Sequence, residues 1–318
     1  MKVSFLYVSL FNLIKQELKD NMENSSHLKI LFVLNPVSGG KKKIDWESVI
    51  RDYFKNLGHQ IELYVLSDKD DTGSLNYWIE KLQITRIVAV GGDGTVTLIA
   101  KQLLGTDLIM GILPAGSANG MAKELQIPET PEEALDIIVN GTVKCCDVIK
   151  INENDISLHL SDFGLNARLV KYFDEGMLRG MWGYSRMVFK VLWHKKLMNA
   201  HILADNLNLN ITAYMIVLAN ASKYGTGAVI NPEGNVGDGV FEIVVVRKLS
   251  LFELFKMFLS YRNFNPKKVE VFQTRTATIT TRHKTHFQVD GEYKGKIDKV
   301  TAAIIPSQLN LLVRKVEG

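Results

Sequence analysis

Ile84-Thr85-Arg86-Ile87-Val88-Ala89-Val90 runs without a break into Gly91-Gly92-Asp93-Gly94-Thr95, and this junction decides the fold. The first seven residues are apolar enough to be buried on both faces, as a strand in a parallel sheet is. Three glycines and an aspartate then make a tight turn, and a helix is expected over 97–104. Glycine permits positive φ and lets the backbone approach a ligand closely. N–H groups clustered at a helix N-terminus form a nest that favours an anion. A carboxylate in such a nest repels a phosphate unless a cation lies between them, so Asp93 implies Mg²⁺. The competing reading is a tight βα turn with Asp93 as a cap.

Working outward, strand and helix patterns alternate on both sides of this turn. Strands are expected over 27–35, 61–67 and 108–116, and helices over 45–57, 74–82, 118–125 and 132–140. Repeated β-turn-α units with continuous apolar strands predict a doubly wound parallel sheet over 28–144. Beyond it the rhythm changes. Apolar runs at 144–152, 156–164, 201–206, 209–220, 239–248, 277–291 and 299–306, parted by turn signals, predict an antiparallel β-sandwich over 145–306. Helices are expected over 178–197 and after Ser250, where Ser250-Leu251-Phe252-Glu253 is a capping box. The last stretch, 307–318, reads as a strand that could return to the first domain. Residues 1–27 read as an N-terminal extension, either an amphipathic surface helix or a segment ahead of a start at Met22.

Two more glycine-bearing loops fall at strand ends, where open α/β sheets bind ligands. Asn35-Pro36-Val37-Ser38-Gly39-Gly40 follows the first strand, and Lys41, Lys42 and Lys43 come next, placed to offset phosphate charge. Leu113-Pro114-Ala115-Gly116-Ser117-Ala118-Asn119-Gly120 follows the fourth. There Ser117 and Asn119 are candidates to hydrogen-bond a phosphate or ribose, and Ser117 also suits a helix N-cap.

The net charge of +4 over 318 residues suits an anionic partner such as a nucleotide or an acidic membrane surface, without requiring nucleic acid. The two cysteines, Cys145 and Cys146, are adjacent, which disfavours a disulfide between them and excludes a structural zinc site. A reducing, cytoplasmic compartment is the simplest inference. No segment approaches the run of about 20 apolar residues that spans a bilayer.

In order and spacing, these three loops resemble the catalytic domain shared by diacylglycerol kinases, sphingosine and ceramide kinases and their bacterial relatives. The family pattern NPxSG, GGDGT and PxGTxN reads here NPVSG, GGDGT and PAGSAN. The resemblance continues in Asn231-Pro232-Glu233-Gly234-Asn235-Val236-Gly237-Asp238-Gly239-Val240 and in Asp290-Gly291-Glu292. It implies an ATP- and Mg²⁺-dependent kinase acting on a lipid hydroxyl. By the same resemblance, ATP is held by Asn35, Pro36, Val37, Ser38 and Gly39, by Gly91, Gly92, Asp93, Gly94, Thr95, Val96 and Thr97, and by Ser67 and Ser117. It also implies a structural Mg²⁺ at Asp238 with main-chain oxygens near Asn235 and Val240, and a general base at Glu292 or Asp290. Read alone, Val289-Asp290-Gly291-Glu292 is a hairpin turn, since Asp-Gly is a strong turn signal.

Residues 177–196 mix Met177, Met181, Trp182, Tyr184 and Trp193 with Arg179, Arg186, Lys190, Lys195 and Lys196. Such a stretch suits either a surface facing anionic headgroups or core packing with a solvated basic face, and 251–264 poses the same choice. Arg168 stands where sphingosine kinases carry an acidic residue, so a neutral diacylglycerol-like alcohol is the expected substrate. A sphingoid-base or ceramide kinase, a NAD kinase and a nucleotide-regulated membrane-binding protein are the alternatives. The expected partners are the lipid alcohol and, peripherally, a membrane surface, with no nucleic acid; a homodimer is allowed but not specified.

Overall fold

The computed structural model describes residues 27–39, 44–67, 71–174, 196–224, 229–248 and 264–315. The expected N-terminal extension up to residue 26, Lys41 to Lys43, residues 178–195 of the helix expected over 178–197 with its basic-aromatic surface, and the helix after Ser250 lie outside the described residues.

The first half is an α/β layer built on β1 (Lys29–Leu34), β2 (Gln60–Val65), β3 (Arg86–Gly91) and β4 (Ile109–Pro114). These strands lie in the order β2-β1-β3-β4 and pair in parallel. Ile87, Val88 and Ala89 of β3 are fully buried, which explains why its sequence is apolar without alternation. Helices α1 (Trp46–Phe54), α2 (Thr72–Leu82), α3 (Asp93–Leu103), α4 (Gly120–Glu124) and α5 (Pro131–Asn140) flank the sheet. α1 shows how the sequence sets this up. Asp45 caps it by accepting the Ser48 N–H at 3.2 Å, and Trp46, Ile50 and Phe54, four residues apart, form its buried stripe. The chain runs from β1 out to β2 on one side and returns to β3 on the other. The carboxyl ends of β1 and β3 therefore leave a crevice between diverging loops.

The second half is a β-sandwich made by β5 (Thr142–Ile151), β6 (Asp155–Ser157), β7 (Leu160–Gly164), β8 (Met198–Ala204), β9 (Leu207–Ala213), β10 (Met215–Ala219), β11 (Phe241–Val246), β12 (Val269–Thr274), β13 (Thr276–Val289) and β14 (Glu292–Val313), with α6 (Leu165–Asp174) after β7. β13 makes the corner: Ala277 to Thr281 pair with β8, and Phe287 to Val289 pair with β7. Phe163 and Phe287, both buried, meet inside it with ring centroids 4.7 Å apart.

β14 ties the halves together. Its first part pairs with β13, and its last part pairs antiparallel with β5 and parallel with β4 at Asn310 and Leu311. Leu309, Leu311 and Leu312 are buried in the core of the first half. The strand expected over 299–306 and residues 307–313 of the last segment are thus parts of one 22-residue strand, Glu292–Val313. β12, an edge strand with Val271 44% exposed, and α6 have no counterpart in the sequence reading. β12 alternates only weakly, so its period does not announce it.

Candidate active site

Three loops at the crevice are locked to one another by short contacts. The Asn35 amide donates to Thr95 Oγ1 at 2.9 Å, joining the NPVSG loop to GGDGT. Asn35 Oδ1 also accepts the Val37 N–H at 3.1 Å and so folds its own loop. The Ala115 N–H donates to the Gly91 carbonyl at 3.0 Å, which seats PAGSAN beside GGDGT. Two glycines are required by these approaches. A Cβ on Gly91 would fall 2.3 Å from Thr95 Oγ1, and one on Gly116 would fall 2.3 Å from the Gly92 Cα. A cleft of about 540 Å³ opens between the loops, lined by Asn35, Pro36, Ser38, Gly39, Trp46, Val65 and Pro114 to Ser117, among others.

α3 begins at Asp93, with Gly92 in the cap position and no side-chain cap. The N–H groups of its first turn are therefore presented to the loop, where the helix dipole favours an anion. Asp93 Oδ1 accepts the Met121 N–H at 3.2 Å, so this carboxylate braces the start of α4 rather than its own helix. Its Oδ2 has no hydrogen-bond donor among the described residues.

Several expected contacts are corrected here. Val96 is buried in the core, and its N–H donates to the Gly92 carbonyl, so neither faces the cleft. The Thr97 side chain is also buried. Ser67 does not line the cleft; its hydroxyl and N–H both donate to Asp71, which Tyr64 also engages. Asn119 spends its amide on Gly116, accepting the N–H and donating to the carbonyl, each at 2.9 Å. It holds φ +53° at the start of α4, so the cap position falls on Asn119, and Ser117 stays exposed in the cleft.

The second half reaches this site through the turn between β13 and β14. Asp290 and Gly291 have φ +46° and +88°, the backbone that a two-residue Asp-Gly hairpin needs. The turn separates two carboxylates that the sequence left equivalent. Asp290 is enclosed: it accepts Ser157 Oγ at 2.8 Å and the N–H groups of Leu158, His159 and Leu160 at 2.7, 3.0 and 3.0 Å. Burial pushes its pKa up, against His159 and these donors. Three of these donors meet Oδ1 and one meets Oδ2, so Asp290 is engaged with the chain around it on both oxygens, which fits a fastening role rather than that of a base open to substrate.

Glu292 points the other way. A Cβ on Gly94 would lie 3.6 Å from Glu292 Oε1, so this carboxylate stands at the N-terminus of α3. Lys294 Nζ lies 3.1 Å from Glu292 Oε2 and 3.1 Å from Asp155, and Lys101 of α3 lies 3.6 Å from Asp155. Burial of Lys294 lowers its pKa, but hydrogen bonds to Asp155 and Glu292 outweigh this and raise it. Lys101, Lys294 and Asp155 were not singled out in the sequence. Isolated charged residues carry no signal until the fold brings β6, β14 and α3 together.

The expected metal loop is built around a residue the sequence reading passed over. Asp147, buried, accepts the Gly239 N–H at 2.6 Å and the Ser307 N–H at 2.8 Å. Asp238 is exposed, and its Oδ1 accepts the Val240 N–H at 3.2 Å. Among the described residues there is no group of three His, Cys, Asp or Glu side chains placed to hold a metal. Around Asp238, Asn235 and Val240 that leaves one partly engaged carboxylate, so a cation there would be held mainly by main-chain oxygens and water. At Asp93 the fit is better, because Mg²⁺ that arrives with a nucleotide needs only one or two carboxylates besides phosphate and water.

Comparison with known proteins follows the same division. Residues 29–151 match the diacylglycerol kinase catalytic domain, and residues 162–313 match the YegS C-terminal NAD kinase beta sandwich-like domain. The chain belongs to the YegS-like lipid kinase family. A relative from Chromohalobacter salexigens named "Probable lipid kinase YegS-like" is 26% identical over 247 residues, spanning 75% of this chain and 79% of its own. Another of the same name from an Enterobacter species is 25% identical over 268 residues, spanning 82% and 88%. A crystal structure of a diacylglycerol kinase from Bacillus anthracis superposes with a TM-score of 0.69 at 16% identity, over 90% of this chain and 97% of that one, a likeness of fold. Family membership implies ATP as phosphoryl donor. No helix among the described residues of this lipid kinase is long and apolar enough to cross a membrane.

Proposed function

We propose that this lipid kinase transfers the γ-phosphate of Mg-ATP to the hydroxyl of a neutral, diacylglycerol-like alcohol presented at a membrane surface, with Glu292 as general base. The observation that supports this best is the placement of Glu292 Oε1 against Gly94. A carboxylate from the sandwich meets the anion-binding helix terminus of the α/β half, as transfer between a bound nucleotide and a second substrate requires. Glu292 is 54% exposed and so open to an incoming hydroxyl. A lipid hydroxyl is a weak nucleophile, and a positioned base typically contributes about 10²- to 10⁴-fold.

In this reading Asn35, Ser38, Gly39, Gly116 and Ser117 bound the nucleotide, and the first N–H groups of α3 hold phosphate oxygens. Asp93 offers Oδ2 to the cation, and when bound Mg²⁺ neutralises charge on the transferring group. Lys294 holds Glu292 in place, and Asp155 holds Lys294.

The test is transfer of labelled phosphate from ATP to a panel of diacylglycerol, ceramide, sphingosine and NAD, with Glu292→Gln alongside. Diacylglycerol should be the preferred acceptor, and the variant should lose roughly 10²- to 10⁴-fold in kcat while the KM for ATP stays within a few-fold. Preference for NAD, or full activity in the variant, refutes the proposal.

A further inference from the structure

Antiparallel pairing of β7 with β13 sets Gln288 directly opposite Asp162, and both side chains are buried. Gln288 Nε2 donates to Asp162 Oδ2 and, at 3.3 Å, to the Leu160 carbonyl. That leaves Gln288 Oε1 facing the other way, where it accepts the Gly291 N–H at 2.7 Å. Gly291 immediately precedes Glu292.

An amide has distinct ends, and what it faces decides which end goes where. An ionised carboxylate only accepts, so Asp162 compels Gln288 to present Nε2 to it and Oε1 to the turn. A flipped amide would set Nε2 against the Gly291 N–H, donor against donor. Asp162 is itself fixed by neutral donors: Asn166 Nδ2 at 2.6 Å, the Ala167 N–H at 2.8 Å and the Tyr224 hydroxyl at 3.5 Å. Burial pushes its pKa up to about 6, against those hydrogen bonds. A carboxylate kept in a core is costly. An apolar residue would fill the strand at lower cost but would leave the amide orientation free.

We propose that Asp162 and Gln288 are positioning residues for phosphoryl transfer: they orient the Gly291 peptide, and through it set Glu292 against the N-terminus of α3. This rests on Glu292 acting as the base. Asp290 fastens one end of the turn to the loop before β7, and Gln288 fastens the other. With both ends tied, Glu292 leaves the turn in one direction.

The experiment uses the full chain with Mg-ATP and diacylglycerol in mixed detergent micelles, comparing wild type, Gln288→Met, Gln288→Glu, Glu292→Gln and the double variant Gln288→Met/Glu292→Gln. Gln288→Met keeps the length and removes all three side-chain hydrogen bonds. It should lower kcat roughly 10- to 100-fold, the scale of a misplacement of about 1 Å, with the KM for ATP within about two-fold. In the Glu292→Gln background the same change should have little further effect, because residues acting as a unit are not additive.

Gln288→Glu keeps an acceptor for Gly291 but can donate to Asp162 only while the facing carboxyl pair retains a proton. Two such carboxylates do not both ionise readily, so kcat relative to wild type should rise toward the wild-type value as pH falls. Among the described residues, the other titratable groups in contact with this network are Tyr224, at Asp162, and His159, beside Asp290. Both are present in every variant, and the comparison at each pH is with wild type.

If Gln288→Met folds too poorly to assay, the pH-dependent recovery of Gln288→Glu decides by itself. Wild-type kcat in Gln288→Met, an equal loss in the Glu292→Gln background, or a pH-independent Gln288→Glu ratio overturns the positioning role. Wild-type kcat in Glu292→Gln overturns instead the assignment of the base.

Discussion

Replacing Gly116 by alanine tests whether the nucleotide site depends on direct contact between two loop backbones. A Cβ built on Gly116 falls 2.3 Å from the Gly92 Cα, 2.8 Å from Asn119 Oδ1 and 3.0 Å from the Gly92 nitrogen. Ordinary contact begins near 3.4 Å, so the PAGSAN and GGDGT backbones must part by about 1 Å, a displacement that can cost about 10²-fold in rate. No flexible side chain can yield in place of the backbone, because the nearest atom is the Cα of a glycine. Asn119, which closes the PAGSAN loop on the Gly116 peptide, would be displaced as well.

Overpacking of this kind costs about 1–3 kcal/mol, while the cores of both halves remain intact. The expected result is a folded protein with a modestly lower unfolding midpoint. Its KM for ATP should rise and its kcat should fall, together approaching a 10²-fold loss in kcat/KM. Gly105→Ala is the control, since Gly105 lies away from the cleft on a turn with φ +70°. It should lower stability with no change in KM for ATP. Wild-type kinetics in Gly116→Ala, measured by phosphate transfer and by nucleotide binding, would refute the claim that this approach shapes the site.

Three further outcomes follow. Asp290→Asn turns an amide NH₂ toward at least one of four donors, so urea unfolding should show a loss of about 2–4 kcal/mol; an unchanged midpoint would refute the fastening role. Lys294→Met frees Glu292 and leaves Asp155 paired with Lys101 alone. Because such half-exposed pairs add only about 0–1 kcal/mol, the thermal midpoint should hardly move while kcat falls several-fold, and unaffected turnover would count against the tether. Asp162 binds its proton more tightly when folded, with a pKa of about 6 against about 3.9 unfolded. Its contribution to stability is then largest below pH about 4 and declines as pH rises to about 6, by on the order of 3 kcal/mol. Asp162→Asn should flatten that slope in urea titrations, and an unaltered slope would show that other groups carry it.

The N-terminal half was legible because its signals are local. A buried parallel strand is apolar throughout, and a phosphate-binding turn needs glycines at set positions. Both conditions fall within about a dozen consecutive residues at Ile84 to Thr95. The strands of the sandwich could be recognised by period, except β12, whose weak alternation at an edge leaves no clear pattern.

The site was legible only in part. The sequence placed Asn35, Asp93, Ser117 and Glu292 at strand ends and turns, but it could not say which groups remain available. Val96, Thr97, Ser67 and Asn119 look like ligands in one dimension. In three dimensions their polar groups or side chains are spent on the core, on Asp71 or on Gly116. Asp290 and Glu292 are equivalent in sequence, two residues apart around a glycine. They differ because a hairpin with positive φ at Asp290 and Gly291 sends one carboxylate inward to four donors and the other outward to Gly94.

By itself, then, the sequence determined the two-part architecture and the chemistry gathered at the sheet edge, since hydrophobic period and turn composition act over short stretches. The tertiary structure alone decided which carboxylate is free, and that β14 runs from the site into the first core. It alone brought Lys294, Asp155, Asp162 and Gln288 to the site, because hydrogen-bond satisfaction and strand pairing depend on residues more than a hundred positions apart.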